Sequence, residues 1–153
     1  MMPPLDIAWE IAHSADTNAS PAFAGAYMTN VANWDDPPAS FELDGPFASG
    51  SRGTTRMPGQ ETLHWRIQEV QPMKSCTIEG AMDRAAMTVE WRFDRLADGG
   101  TRLTQLIVLK GENASAYLED VRSAFTSNLA PGMKKIAMAM ERAYDFHGTG
   151  TDC

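Results

Sequence analysis

Cysteine is scarce in this chain. Cys76 and Cys153 are the two among 153 residues, too few for a disulfide scaffold, and a chain of this length buries most of its unfolded surface without cross-links. Histidine occurs only at positions 13, 64 and 147; with two cysteines this gives no metal-ligand spacing, so no metal is expected. Basic charge is in deficit: 13 Lys and Arg face 20 Asp and Glu, a formal net charge of −7. No basic cluster stands out, which argues against a nucleic-acid partner, because affinity for a phosphate backbone comes from grouped cations. No run approaches ~18 consecutive apolar residues, and residues 1–10 carry no basic stretch ahead of an apolar one. Neither a membrane span nor export is expected, and a reducing cytoplasm is the expected location. Gly-x-Gly-x-x-Gly, a phosphate loop and a Gly-x-Ser-x-Gly elbow are all missing, so no cofactor is expected.

What is present is ordinary in amount, with 43% hydrophobic and 22% charged residues. These fractions describe one globular domain, placed at residues 1–147 with an unstructured tail at 148–153. Residues 5–13 alternate, with Leu5, Ile7, Trp9, Ile11 and His13 on one face, the period of a half-buried strand. Ser20-Pro21 reads as a helix start, Ser capping and Pro preset for the first helical position. A short helix over 21–28 follows, then a second short helix or helical turn over 29–34, stopped by Asp35-Asp36-Pro37-Pro38.

Strands and turns occupy residues 39–111. Phe41 and Leu43 alternate with acidic neighbours before Gly45-Pro46, and residues 51–57 form a thinner strand whose parity leaves the facing of Arg52 and Arg56 open. Leu63, Trp65 and Ile67 alternate until a slip at Glu69-Val70 that suits a bulge. Cys76, Ile78, Gly80 and Met82 share one parity. So do Met87, Val89, Trp91 and Phe93 and, beyond the hairpin signal Asp98-Gly99-Gly100, Leu103, Gln105, Ile107 and Leu109. Over 115–146 the period changes. Leu118, Val121, Phe125, Leu129, Gly132, Ile136 and Met140 step by three or four, one apolar stripe on a long helix that Pro131 must kink or break near Ala130.

This order is an α+β design: a curved antiparallel sheet of about seven strands, two short helices after the first strand, and a long kinked C-terminal helix over the concave face. In Ala19-Ser20-Pro21, Val31-Ala32-Asn33-Trp34, the run 45–50 (Gly-Pro-Phe-Ala-Ser-Gly), the run 67–72 (Ile-Gln-Glu-Val-Gln-Pro), Asp98-Gly99-Gly100-Thr101, Gly111 and Leu129-Ala130-Pro131-Gly132-Met133, the chain resembles the START-like, or SRPBCC, superfamily with its helix-grip fold. The nearest branch is the polyketide cyclase/dehydrase-like one. Many relatives carry a second tryptophan three residues after Trp34, where this chain has Pro37. The resemblance implies a cavity between sheet and helix for a small hydrophobic molecule that is aromatic, polyketide-like or lipid-like. It fixes no reaction, since such folds serve carriers, cyclases and chaperone activators alike.

The concave face then presents Trp9, His13, Phe41, Met57, Trp65, Met87, Trp91 and Gln105, and the helical stripe adds Phe125, Gly132 and Ile136. A packed core explains such a face, and so does a ligand pocket lined by adaptable methionines and flat rings, with Gly132 leaving room in mid-stripe. Gln105 needs partners if buried, from a ligand or from the protein. His13 is a rim histidine or a general base, with no inward carboxylate to orient it. These two are the catalytic candidates, with an entrance arginine, Arg52 or Arg56, as a further one. Cys76 reads as a buried, inert thiol, and His64, Arg66, Glu90, Arg92 and Asp94 as a solvated outer face paired across strands. Ligand binding is the leading function. A cyclase or dehydratase using the same cavity is the alternative, and a protein-interaction role through the outer face or the loop 35–40 a further one. The chain is expected to be a monomer or homodimer.

Overall fold

The computed structural model describes residues 7–34 and 38–151, with side chains placed through residue 146. Seven strands, β1 (Ile7–Thr17), β2 (Ser40–Asp44), β3 (Arg52–Arg56), β4 (Leu63–Gln71), β5 (Ser75–Met82), β6 (Ala85–Arg95) and β7 (Thr101–Lys110), form one sheet. All pairings are antiparallel and the order is β1-β7-β6-β5-β4-β3-β2. Strands β2 to β7 are joined in sequence by short connections, and only β1 crosses the sheet to pair with β7. This is the helix-grip α+β architecture.

Local chemistry sets the element boundaries. In α1 (Pro21–Met28) the Ser20 hydroxyl accepts from the Phe23 amide at 3.2 Å and Pro21 occupies the first turn, where its missing N–H costs nothing. Of the short helix or helical turn expected over 29–34, the structure forms the turn, a single 3-10 turn at Val31–Asn33. At the β6–β7 hairpin the Asp98 carboxylate accepts from the Gly100 amide at 2.9 Å, with Gly99 at φ +90°. The slip in β4 is a register shift between Ile67 and Glu69.

The C-terminal stripe is divided. A 3-10 turn (Ala114–Ala116) leads into α2 (Leu118–Thr126), and α3 (Leu129–Thr151) begins after a break at Ser127 and Asn128. Pro131 therefore sits in the first turn of α3, where a proline is tolerated. The break precedes Ala130 by two residues, and the interior kink is avoided. α3 also runs through Thr151, into the segment from Gly148 that the sequence leaves unstructured; residues 152–153, Leu5 and residues 35–37 of the predicted loop lie outside the described residues.

Ile67, Leu103, Ile107, Leu109, Met133 and Met140 are the large apolar side chains sealed from solvent. α3 packs chiefly against β1, with smaller contacts to β7 and α1, while α1 rests on β6. Phe23 and Tyr144 meet edge to face at 5.1 Å and tie α1 to α3. The helical layer thus closes over the β1–β7 half of the concave face. Strands β2 to β5 meet no comparable contact from α3.

Candidate functional site

Register turns strand parity into rows across the concave face. Trp9 pairs with Leu109, which pairs with Met87, then Gly80, Trp65, Gly53 and Leu43, so one row crosses all seven strands. The next runs Ile11, Ile107, Val89, Ile78, Ile67, and a third runs His13, Gln105, Trp91, Cys76, Val70. These rows contain no Asp, Glu, Lys or Arg. Ile67 and Ile107 are sealed at their centre, whereas Trp9, Met87, Val89, Ile78, Trp65 and Gln105 are only half-buried despite facing inward. From the helical layer Phe125, like Trp9 and Met87, packs against the buried cluster of Leu109, Ala114 and Val121, and Ile136 is half-buried next to the buried Met133 and Met140. Gly132 is half-buried, and a Cβ built there would meet nothing within 4 Å.

Trp65 is held by two neighbours. Its indole Nε1 donates to Thr55 Oγ1 at 3.0 Å, and its six-membered ring lies over Gly53, where a Cβ would come within 2.2 Å of ring carbon. Trp34 packs on Trp65 at 5.5 Å between ring centres and meets Phe41 and Phe47 edge on at 5.4 and 6.1 Å. Trp34 itself is anchored by Nε1 donating to the Met28 carbonyl at 2.8 Å. These four rings form an aromatic end to the concavity over β2 to β4. Trp34 and Phe47 escaped the sequence reading because turn residues carry no strand parity; their only signal is large aromatics beside turn formers.

Polar groups are few. His13 and Gln105 are direct partners across the β1–β7 ladder, which puts imidazole and amide side by side on the inner face. His13 is exposed at the rim and Gln105 half-buried, and neither side chain has a hydrogen-bond partner among the described residues. The Cys76 thiol is pushed up to about 12 by burial, reinforced by the charge of Glu90, and is protonated and unreactive at neutral pH. Among the described residues no group of three or more His, Cys, Asp or Glu is placed to hold a metal, and no helix is long and apolar enough to cross a membrane.

The sequence expectation puts Met57 at the cavity and leaves the facing of Arg52 and Arg56 open. Met57 lies one residue past the end of β3 and joins neither apolar cluster, because the β2–β3 ladder stops at the Ser40–Arg56 pair. Arg52 and Arg56 alternate with the inward Gly53 and Thr55 and are exposed on the convex face. That face carries ion pairs: across strands Arg66 to Glu79 at 3.1 Å and Arg102 to Asp16 at 2.9 Å, and within β6 Arg92 to Glu90 at 3.2 Å. Among the described residues, only Arg66 of the predicted set thus forms an ion pair across strands, and with Glu79. The hydrogen bond from Arg102 holds the Asp16 carboxyl below its ordinary range.

A family model described as polyketide cyclase / dehydrase and lipid transport matches residues 8–141. Solved structures share the fold. Norcoclaurine synthase from Thalictrum flavum, a point mutant in complex with a transition-state analogue, superimposes with a TM-score of 0.69 at 11% identity, over 91% of this chain and 98% of that one. The Zhui aromatase/cyclase from Streptomyces sp. R1128 gives 0.66 at 15% identity, over 88% and 94%. Protein MLL2253 from Mesorhizobium loti gives 0.64 at 15%, over 90% and 97%. At such identities the likeness is one of fold. No curated protein matches the chain by sequence.

Proposed function

The chain belongs to the polyketide cyclase / dehydrase and lipid transport family, and on that premise we propose that it binds a small hydrophobic molecule, aromatic, polyketide-like or lipid-like, between the sheet and the C-terminal helix. The observation that carries this reading is the incomplete burial of Trp9, Met87, Val89, Ile78 and Trp65 at inward positions. A sealed core would bury them, since interiors pack with few voids. Gln105 supplies a polar group to orient the ligand, and Gly132 leaves space at the helix. Apolar walls with a few polar groups are the usual make-up of such pockets. Native mass spectrometry of the freshly purified chain, followed by titration with flavonoids, fatty acids and polyketide analogues under tryptophan fluorescence, tests the reading. Saturable quenching that Trp65→Ala and Gln105→Ala weaken is the expected result. Absence of any saturable ligand across those three classes would overturn it.

A second reading, turnover of a polyketide-like ligand by cyclisation or dehydration, draws on the His13–Gln105 pairing. In it the imidazole takes a proton from the carbon next to a carbonyl while the Gln105 amide donates to the carbonyl oxygen. No inner-face carboxylate orients the imidazole, which keeps binding ahead of catalysis. Wild-type consumption of a bound ligand that stops in both His13→Ala and Gln105→Ala would establish this reading; consumption surviving in both removes the two residues from the chemistry.

A further inference from the structure

A second cleft lies on the far side of α1 from the C-terminal helix; it adjoins the concavity just described, sharing Phe47 and Val70 with it, while its remaining walls are its own. It has a volume of about 320 Å³ and opens between α1, the β2–β3 loop and the β4–β5 turn. α1 divides the two spaces. Ala24 and Met28 are buried in the core, with Phe23 and Tyr27 packed against it, whereas Ala22, Gly25, Ala26 and Thr29 face the cleft. Large side chains thus fill one side of the helix while small ones leave the other open. The cleft is closed on its remaining sides by Val70, Phe47 and Phe93.

We propose that this cleft is a second small-molecule site, selective for a thin, uncharged ring compound of the phenol or naphthol class, whose one hydroxyl would meet the polar side chains of Thr29, Gln71 or Ser75 in the lining. Four observations select that occupant. The volume lies at the lower end of the range for ligand pockets, about 300–1,000 Å³, which suits one or two fused rings rather than a long chain. None of the eleven residues around the cleft is charged, so an ionised ligand would lose hydration without gaining an ion pair. A Cβ on Gly25 would stand 3.3 Å from the Met73 Cα; helix and turn already touch there, which limits the thickness of anything beside them. Met73, 57% exposed at the rim, is the large apolar side chain an occupant would cover, and its thioether packs favourably on a ring.

The test uses 2-naphthol as probe, followed by amide shifts in the ¹⁵N-labelled chain. Saturable shifts are expected at Ala22, Ala26, Thr29 and Met73, with Trp91 and Gln105 unmoved. Ala26→Leu fills the cleft from an exposed helical position that tolerates leucine and should weaken binding by about tenfold or more, an energy of about 1.4 kcal/mol; Gln105→Ala should leave it unchanged. The 2-naphthoate anion should bind at least about tenfold more weakly than the neutral probe. Shifts confined to the concave face, an undiminished response in Ala26→Leu, equal binding of the anion, or no saturable shift at the solubility limit would each overturn the proposal. Because the two sets of shifts report on different residues, loss of this site and loss of the concave one are read separately.

Discussion

Gly53 shows how one residue shapes the concave face. Its hydrogen is the only substituent that fits beneath the Trp65 ring, so Gly53→Ala must lift the indole or bend β3. Overpacking of this kind costs about 1–3 kcal/mol, and chemical denaturation should show that loss. In a Trp65→Ala background the same substitution should cost far less; an equal cost in both backgrounds would dissociate Gly53 from the ring. Cys76 makes a different statement at the same scale. Burial raises its pKa from 9.0 to about 12, so the native chain keeps a proton that the unfolded chain releases. Stability from this group is complete below about pH 9 and is lost as pH rises through about 12. In a Cys153→Ser background, denaturant titrations from pH 8 to 11 should show a steeper decline than in the same chain with Cys76→Ala. Matching slopes would mean that the thiol is not held protonated.

At the scale of elements, period-two alternation foretells six strands and which way they face, because register leaves each inner residue opposite another inner residue; the thinner β3 is legible as a strand, but its facing is not. The bulge at Ile67–Glu69 was legible as a slip for the same reason. The C-terminal break was less so. Phe125, Leu129, Gly132 and Ile136 keep three- and four-residue steps straight across Ser127–Asn128, and a stripe that continues in phase does not reveal that its helix has stopped. Pro131 signals trouble without saying whether the helix kinks or restarts, and restarting two residues earlier is what relieves it. That restart places Gly132 in the first turns of α3, beside open space. Gly132→Ala should therefore stabilise the chain by about 0.5–1 kcal/mol, the usual gain from removing a helical glycine. Gly132→Leu should keep the melting temperature at or above wild type while weakening the concave-site ligand by about tenfold. A leucine that leaves affinity unchanged would show that the space at Gly132 is not part of the binding volume.

Across the whole molecule, charge and carbon are segregated. Among the described residues the ion pairs Asp16–Arg102 and Arg66–Glu79 lie on the convex face, while the concave rows hold no Asp, Glu, Lys or Arg. Sequence parity could assign those faces. It could not show how far α3 covers the sheet, because that depends on where helix and strand meet in space, and so it could not separate a sealed core from a cavity at Trp9, Met87 or Trp65. Nor could it reveal the α1 cleft, whose walls combine turns and strand ends with the small side of a helix. The segregation predicts how ligand binding responds to salt. A neutral ligand in the concavity meets no charge, so its affinity should change less than about twofold between ~50 and ~500 mM NaCl, since screening acts only on charged partners. At about 100-fold excess over its dissociation constant such a ligand adds about 2.7 kcal/mol to stability. For a chain of this size that raises the melting temperature by about 5–10 °C, and the rise should be equal at both salt concentrations. A rise that collapses at high salt would instead place the ligand on the charged convex face, among the arginines that alternate away from the cavity.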